Sequence, residues 1–417
     1  MNQDASAAQS KPASRWRRRL KRLGALALAG VISLLLLLLY LARSEDPVAF
    51  DEQAARGIEL VGWQQLLPGE GIPADLPLQA ANNNCDAVLH EGRTYLSVRS
   101  GPHHFASDQT QVFVLSSADR VSWELERTFD LPGGDLREPR FFSFAGRLLF
   151  YFFKAGTDPL AFEPRSIYVS ERRGPGDWSE PRAIFRPGYV VWRVREHEGQ
   201  AYMSVYRGEG LYTTSDRPGE VRLLVSSDGL TWEPITPEPQ VSRVGASECD
   251  FVFDEQGGLV ALVRLEVQGS LVCTAKPAAL GTWEQTYSRH KYDSPLLLQQ
   301  GGEVYAVARR NVAGAFYRGP DAAPAALRRA WSLARYSLTR KRTCLYRLDL
   351  ERRAPTPLFD LPSRGDTAFA GAVRLGENRW WLVNYSSPRE GPDLPWLAGQ
   401  VGRTHLYAGE LVFGSSE

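Results

Sequence analysis

The chain has few of the residues that build metal or redox sites. Among 417 residues there are four cysteines, Cys85, Cys249, Cys273 and Cys344, with no CxxC spacing. Neither a zinc site nor a thioredoxin-like motif is indicated, and no metal or cofactor is expected. In an oxidising compartment four cysteines permit three disulfide pairings, with buried thiols the simplest expectation. Excess positive charge is also missing from most of the chain. Residues 1 to 44 hold eight of the 49 Lys and Arg and one of the 48 Asp and Glu, so the remainder carries 41 basic and 47 acidic residues, net −6. That balance argues against nucleic acid or an anionic lipid surface as the partner of the larger part.

The first 44 residues form a separate class. Six basic side chains lie between Arg15 and Arg22, and the run from Gly24 to Ala42 has no charge. Such a run is long enough to cross about 30 Å of hydrocarbon as a helix. The basic cluster precedes it, so the positive-inside rule keeps the N-terminus in the cytoplasm and exports everything after Arg43. A cleaved signal peptide is the alternative, with Ala42-Arg43-Ser44 as its site, but a cleaved apolar region is usually about 7 to 15 residues long. The expected plan is a basic tail over 1–22, a signal anchor over 23–42, a linker over 43–57, an exported domain over 58–413 and a short tail over 414–417. A bacterial inner membrane with the domain on the periplasmic side fits this order.

The exported part repeats itself. Six segments share an apolar strand, a turn rich in Gly, Glu or Asn, and a second apolar strand: residues 85–99, 138–153, 189–207, 249–264, 294–310 and 368–387. Each reads as a β-hairpin. A second strand pair follows most of them and usually ends near tryptophan, as in QVFVLSSADRVSWELE and VRLLVSSDGLTWEPI. The sixth unit has only HLYAGELVF (405–413) before the chain ends, and IELVGWQQLLPG (58–69) can supply its missing strand. An N-terminal strand completing the last sheet closes a ring without open edges. The expected fold is all-β, a six-bladed propeller preceded by a single transmembrane helix.

The SSDGLTW turn (226–232) resembles the Asp box, or BNR repeat, of the sialidase superfamily, whose members are six-bladed propellers that act on glycans. Asp228 in that turn is read as a bend former and not a catalyst. With strands A to D numbered outward from the axis, the start of A and the B–C loop share one face. The longest loops lie there: 100–110, 154–165, 208–220, 311–341 and 388–403. Long loops on a rigid scaffold are where binding and catalysis concentrate, and the 311–341 loop is the candidate lid. The same face receives Asp86, Arg137, Glu138, Arg140, Arg193, Glu248, Asp250, Asp293 and Asp366, with Arg99, Arg264, Arg309 and Arg310 at the ends of B strands. Carboxylates converging among guanidiniums suit glycosidic cleavage, and the arginines suit an anionic sugar.

The superfamily resemblance implies that Asp108 is the acid/base Asp, Arg99 a substrate arginine, and Glu248 with Tyr385 the nucleophilic pair. The Arg-Ile-Pro of active sialidases is replaced here by Asn84-Cys85-Asp86. A looser resemblance to five-bladed furanosidases implies Asp86 as nucleophile, Glu138 as orienting acid and Glu248 as proton donor. His104, beside His103, is a further candidate for binding. Two function classes stay open: a membrane-anchored glycoside hydrolase acting on a glycan or glycoconjugate, and a non-catalytic propeller that binds glycan or protein.

Overall fold

Strand-forming residues alternate inward and outward in each hairpin, and the connecting turns match the right-handed twist of the strands. In Glu91-Gly92 and Glu198-Gly199 both central residues take positive φ, 48° and 77° in the first and 50° and 73° in the second. The computed structural model describes residues 12–43, 48–208, 211, 213, 215–315 and 323–414. The tail before Pro12, the Ser44 side of the cleavage candidate, parts of the 208–220 and 311–341 loops and the last three residues lie outside the described residues. Two compact units divide the chain at Ser44 and Glu45. The first holds helix α1 (Pro12–Arg43), whose Arg19–Tyr40 segment is long and apolar enough to cross a membrane.

The second unit is a propeller of six sheets. From the axis outward, blade one is Ala81–His90, Arg93–Gly101, Gln111–Ser117 and Glu124–Phe129. Blade two begins with Asp135–Phe144, Arg147–Ala155 and Pro164–Gly174, and its outer edge is two short pieces, Asp177–Trp178 and Arg182–Ile184. Blade three is Val190–His197, Gln200–Arg207, Pro218–Ser226 and Glu233–Pro234, with Val241–Val244 also on its third strand. Blade four is Ala246–Phe253, Leu259–Leu265, Ser270–Ala275 and Glu284–Ser288. Blade five is Asp293–Gln300, Glu303–Asn311, Lys341–Asp349 and Ala354–Asp360. Blade six is Thr367–Gly376, Arg379–Ser386, His405–Phe413 and the N-terminal strand Ile58–Leu67.

Inner strands of consecutive blades abut, and that of blade six meets that of blade one. At this junction a Cβ on Gly371 would lie 2.8 Å from the Ala87 nitrogen, so only glycine lets the two strands approach. The ring is latched by antiparallel pairing from Ile58↔Phe413 to Leu67↔Leu406. A second tie joins blades one and six, where Asn82 N–H donates to the Thr404 carbonyl. The C–D turns bend as read from sequence: Asp228 Oδ1 accepts the N–H groups of Leu230 and Thr231, and Asp119 Oδ1 accepts those of Val121 and Ser122. Trp232 Nε1 closes its turn on the Gly229 carbonyl. All four cysteines are buried and unpaired.

The loops of blades five and six fold into helices α2 (Ala325–Ser337) and α3 (Trp396–Val401), placed by topology on the face where the inner strands begin. Deleting residues 45–68 from the propeller should leave His405–Phe413 as an open edge, with a large loss of thermal stability and self-association. Thermal melting and size-exclusion chromatography against the fragment starting at Glu45 check this.

Candidate functional site

Every inner strand is interrupted near its start. Register shifts fall between Asn83 and Asp86, Arg137 and Arg140, Val191 and Arg193, Ala246 and Cys249, Asp293 and Leu296, and Ala368 and Gly371. A bulge re-aims side chains and leaves ladder groups unpaired. Four bulges carry a non-glycine residue in the left-handed region: Asn84 (φ 46°), Glu138 (52°), Ser294 (50°) and Phe369 (52°). Such a conformation costs about 1–3 kcal/mol and persists only where the surroundings enforce it.

Carboxylates take up the freed backbone donors. Asp86 of blade one accepts the Phe141 N–H of blade two at 2.9 Å, and Asp250 of blade four accepts the Leu297 N–H of blade five at 2.8 Å. Arg193 joins these two acids, with Nη1 2.9 Å from Asp86 Oδ1 and Nε 3.2 Å from Asp250 Oδ2. Arg195 adds a bond of 3.0 Å to Asp250. Arg140 lies over the Trp192 ring at 4.8 Å and donates to the Trp192 carbonyl. The channel is thereby plugged by a buried ionic layer that ties blades one to five. Asp86 has both oxygens engaged in this layer, and sequence reasoning had no signal for it, because an acid leading into a buried strand reads the same whether it laces or reacts.

Glu138 and Glu248 stand at the bulges on the loop-rich side of that layer. Both are buried, 5% and 2% exposed. Glu248 is held tightly: Oε1 accepts from Arg264 Nη1 at 2.6 Å and Oε2 accepts the Ser294 N–H at 2.6 Å and its hydroxyl at 3.2 Å. Glu138 is held loosely. Its Oε1 accepts from Asn84 Nδ2 at 3.4 Å, and its Oε2 has no hydrogen-bond partner, with Arg140 Nη2 3.6 Å away. Burial pushes the Glu138 carboxyl up to about 8; Arg140 opposes the shift and the charge of Glu248 adds to it.

The remaining candidates fall into two flanking clusters. In the first, Asp135 accepts a two-pronged pair from Arg99 at 2.9 Å for each oxygen, and a bond from Arg137 Nε at 2.7 Å. Burial opposes ionisation of Asp135, but Arg137 and Arg99 outweigh it and hold the carboxyl below its usual range. In the second, Asp366 Oδ2 lies 2.6 Å from His104 Nδ1, while Oδ1 accepts from Tyr385 at 3.1 Å and from Trp396 Nε1 at 3.0 Å. Asp108 is exposed in the blade-one loop.

A roof connects to the blade-five rim. Tyr336 of α2 donates to Asp293, and its ring packs against Trp396 of α3 with centroids 5.1 Å apart. Arg309 Nε meets the Tyr336 hydroxyl at 3.0 Å. Asp293 also faces Arg264 at 3.3 Å and Lys291 at 3.4 Å; burial opposes its ionisation, but these cations bring it to about 2. Lys341 donates to the Thr339 carbonyl at 3.0 Å, and burial holds its amine well below the usual range. Sequence reading did not find Asp135, Lys291, Tyr336, Lys341 or Trp396 as members. Asp135 had a local signal, lying two residues before Arg137 at the head of an A strand. Tyr336 and Trp396 had none, because they come from short helices within long loops, and where those helices dock is set by tertiary packing.

No protein-family model and no curated protein sequence matches the chain. Similarity appears at the level of folds. A crystal structure of a protein of unknown function from Dyadobacter fermentans superposes with a TM-score of 0.58 at 17% identity, over 86% of this chain and 100% of that one. Trypanosoma rangeli sialidase in complex with sialic acid superposes at 0.54 and 12% identity, over 88% of this chain and 60% of the sialidase. A mutant of that sialidase displaying trans-sialidase activity gives 0.55 at 12%. The chain thus spans about 60% of the sialidase's length, and at these identities the likeness establishes the six-bladed fold alone.

Two outcomes are expected. Arg193→Met should leave Asp86 without its close ion-pair partner, with Asp250 kept by Arg195, and lower stability by about 3–5 kcal/mol in denaturant unfolding. For Glu138 the native state keeps a proton that the unfolded chain, with its ordinary value of 4.5, releases; stability should therefore fall as pH rises from there to about 8. Glu138→Gln removes that term, so its melting temperature relative to the parent should climb across this window and level off above it.

Proposed function

We propose that the chain is a membrane-anchored, extracytoplasmic glycoside hydrolase of sialidase-like architecture. The observation that carries the reading is the contrast between two neighbouring carboxyls. Glu138, pushed up to about 8, keeps its proton near neutral pH, whereas Glu248 is a fixed acceptor for Arg264 and Ser294. Two titratable groups with opposed environments are the usual acid and base of glycosidic cleavage. Glu138 then protonates the leaving oxygen, and Glu248 attacks the anomeric carbon or takes the proton of the attacking water. Asp86, Arg140, Arg193 and Asp250 support these two from below, while Arg99, His104, Arg137, Tyr385, Asp366, Arg264 and Arg309 shape the wall against which a glycan lies. Helix α1 holds the propeller on the outer side of a membrane, the periplasmic side in a bacterium.

A second reading is a non-catalytic glycan-binding propeller. It is favoured by the near-complete burial of both glutamates. The fragment from Glu45 onward, tested on a panel of glycosides, separates the two. Hydrolysis requires that the parent turn over at least one of them and that Glu138→Gln and Glu248→Gln each lower kcat by about 100-fold or more, with the folded structure retained. Glycan association without turnover on the whole panel would instead identify a binding module.

A further inference from the structure

His104, on the loop-rich face, is fastened at its main chain and at one ring nitrogen, while the other ring nitrogen is left over. Nδ1 lies 2.6 Å from Asp366 Oδ2, and the two side chains are 11% and 0% exposed. Histidine–glutamate contacts elsewhere are looser, 3.9 Å for His90 with Glu91 and 4.0 Å for His197 with Glu198, and both of those glutamates are exposed. The His104 N–H donates to the Gln400 carbonyl of α3 at 3.0 Å, Arg137 Nη2 donates to the His104 carbonyl at 2.6 Å, and Arg99 Nη2 donates to the Phe105 carbonyl at 3.1 Å. Arg99 and Arg137 are the guanidiniums that grip Asp135, so one rigid cluster carries the imidazole and the other holds it. Nε2 bonds to none of the described residues, and it is not sealed from solvent.

Asp366 decides where the imidazole keeps its proton. Burial opposes ionisation of this carboxyl, but His104, Arg309 and the Tyr385 hydroxyl outweigh it and hold the group below its usual range. A carboxylate has no proton to give, so the short contact requires Nδ1–H, and in the neutral ring the lone pair sits on Nε2. Burial also holds the imidazole below its ordinary value; Asp366 opposes that shift, while Arg137 and Arg99 add to it. Near neutral pH the ring is therefore an uncharged base, with its lone pair open to solvent and an anion behind it to stabilise the charge it acquires.

The dyad shares the mouth of the two glutamates. Arg137 directly precedes Glu138 in the blade-two bulge. Burial pushes the Tyr385 hydroxyl well up, and the charges of Asp366 and Glu248 add to it, so Tyr385 lies in the field of both acids. Glu248 has both oxygens taken by donors, Arg264 on one and Ser294 on the other, which makes it a poor proton acceptor. We propose that His104 is the catalytic base of this site, positioned by Asp366, and that the glycoside is cleaved by a single displacement with inversion at the anomeric carbon. The proposal rests on the hydrolase reading above and assigns its base. The water oxygen bonds to the anomeric carbon as the bond to the leaving oxygen breaks; Nε2 takes the water proton, Glu138 gives its proton to the leaving oxygen, and Glu248 stays ionised beside the positive charge that develops on the sugar ring. The imidazolium then returns its proton to solvent, and Glu138 regains one.

His104→Asn keeps an amide N–H where Nδ1–H stood, so the bond to Asp366 survives while the base is gone. On a glycoside that the parent hydrolyses, this variant of the full chain should lose about 100-fold or more in kcat and melt close to the parent. The acid limb of the parent's kcat/KM profile, where Nε2 becomes protonated, should be missing from the activity that remains, and the parent's product should first appear as the inverted anomer. Undiminished turnover by His104→Asn, or retention of configuration, overturns the proposal and leaves the hydrolase reading standing; a parent inactive on every glycoside removes both. A second measurement needs no substrate. Magic-angle-spinning spectra of the parent, labelled with nitrogen-15 histidine and carbon-13 aspartate so that His104 is identified by its contact with the Asp366 carboxyl, should show Nδ1 protonated and Nε2 bare at neutral pH. In Asp366→Asn the donors Tyr385 and Trp396 keep the amide oxygen, the amide N–H faces Nδ1, and the ring proton should move to Nε2 with a comparable loss in kcat. A proton on Nε2 of the parent at neutral pH, as the other tautomer or as imidazolium, refutes the base, and should His104→Asn fail to fold these spectra alone decide.

Discussion

The closure of the ring is the constraint on which the rest depends. Each inner strand is covered on both sides only if its two neighbours are in place, and blade six is held beside blade one by pairing Ile58–Leu67, which leads into blade one, onto His405–Phe413. Burial of apolar strand faces drives the assembly, while the hydrogen bonds of this one ladder decide that it is a ring and not an open stack. Six inner strands forced into contact around an axis leave a channel too narrow for regular ladders. The bulges are where that crowding is released.

Site and scaffold share those bulges. At four of them a side chain is held in the left-handed region, and the freed backbone donors are taken by Asp86, Asp250 and Glu248. Glu248 thus belongs to both systems, since the interaction that stitches blade four to blade five also fixes a carboxylate beside Glu138. Glu138 differs because it makes no such stitch. Its burial is uncompensated by strong donors, which is why its carboxyl is pushed up to about 8.

Much of the fold was legible in the sequence, for a physical reason. Period-two alternation around Gly turns is local, and a sixfold repeat of it allows few architectures; even the strand borrowed from residues 58–69 could be found, because unit six lacked one. Asp228 was likewise readable as a bend, since its Ser-Asp-Gly context is complete within one turn. The site was legible only as a list of charges on one face. Asp86 and Glu138 look alike from sequence, each an acid at the head of an inner strand, and the bulge that separates them is a backbone feature with no residue signature. The partners of Asp366 come from three separate stretches, His104, Tyr385 and Trp396, and Tyr336 reaches Asp293 from a loop helix; such contacts between distant segments are set by tertiary packing alone.

The borrowed strand also orders events in time. Residues 58–67 emerge from the ribosome before any other strand of the propeller, yet their partner at 405–413 is the last of its strands to be made. Until that partner is made the first strand has nowhere to go, and blade one waits with an uncovered flank. The blades must therefore assemble as an open crescent and close only when residues 405–413 arrive, which makes that interval the point of greatest exposure to proteases and to mispairing with a second copy.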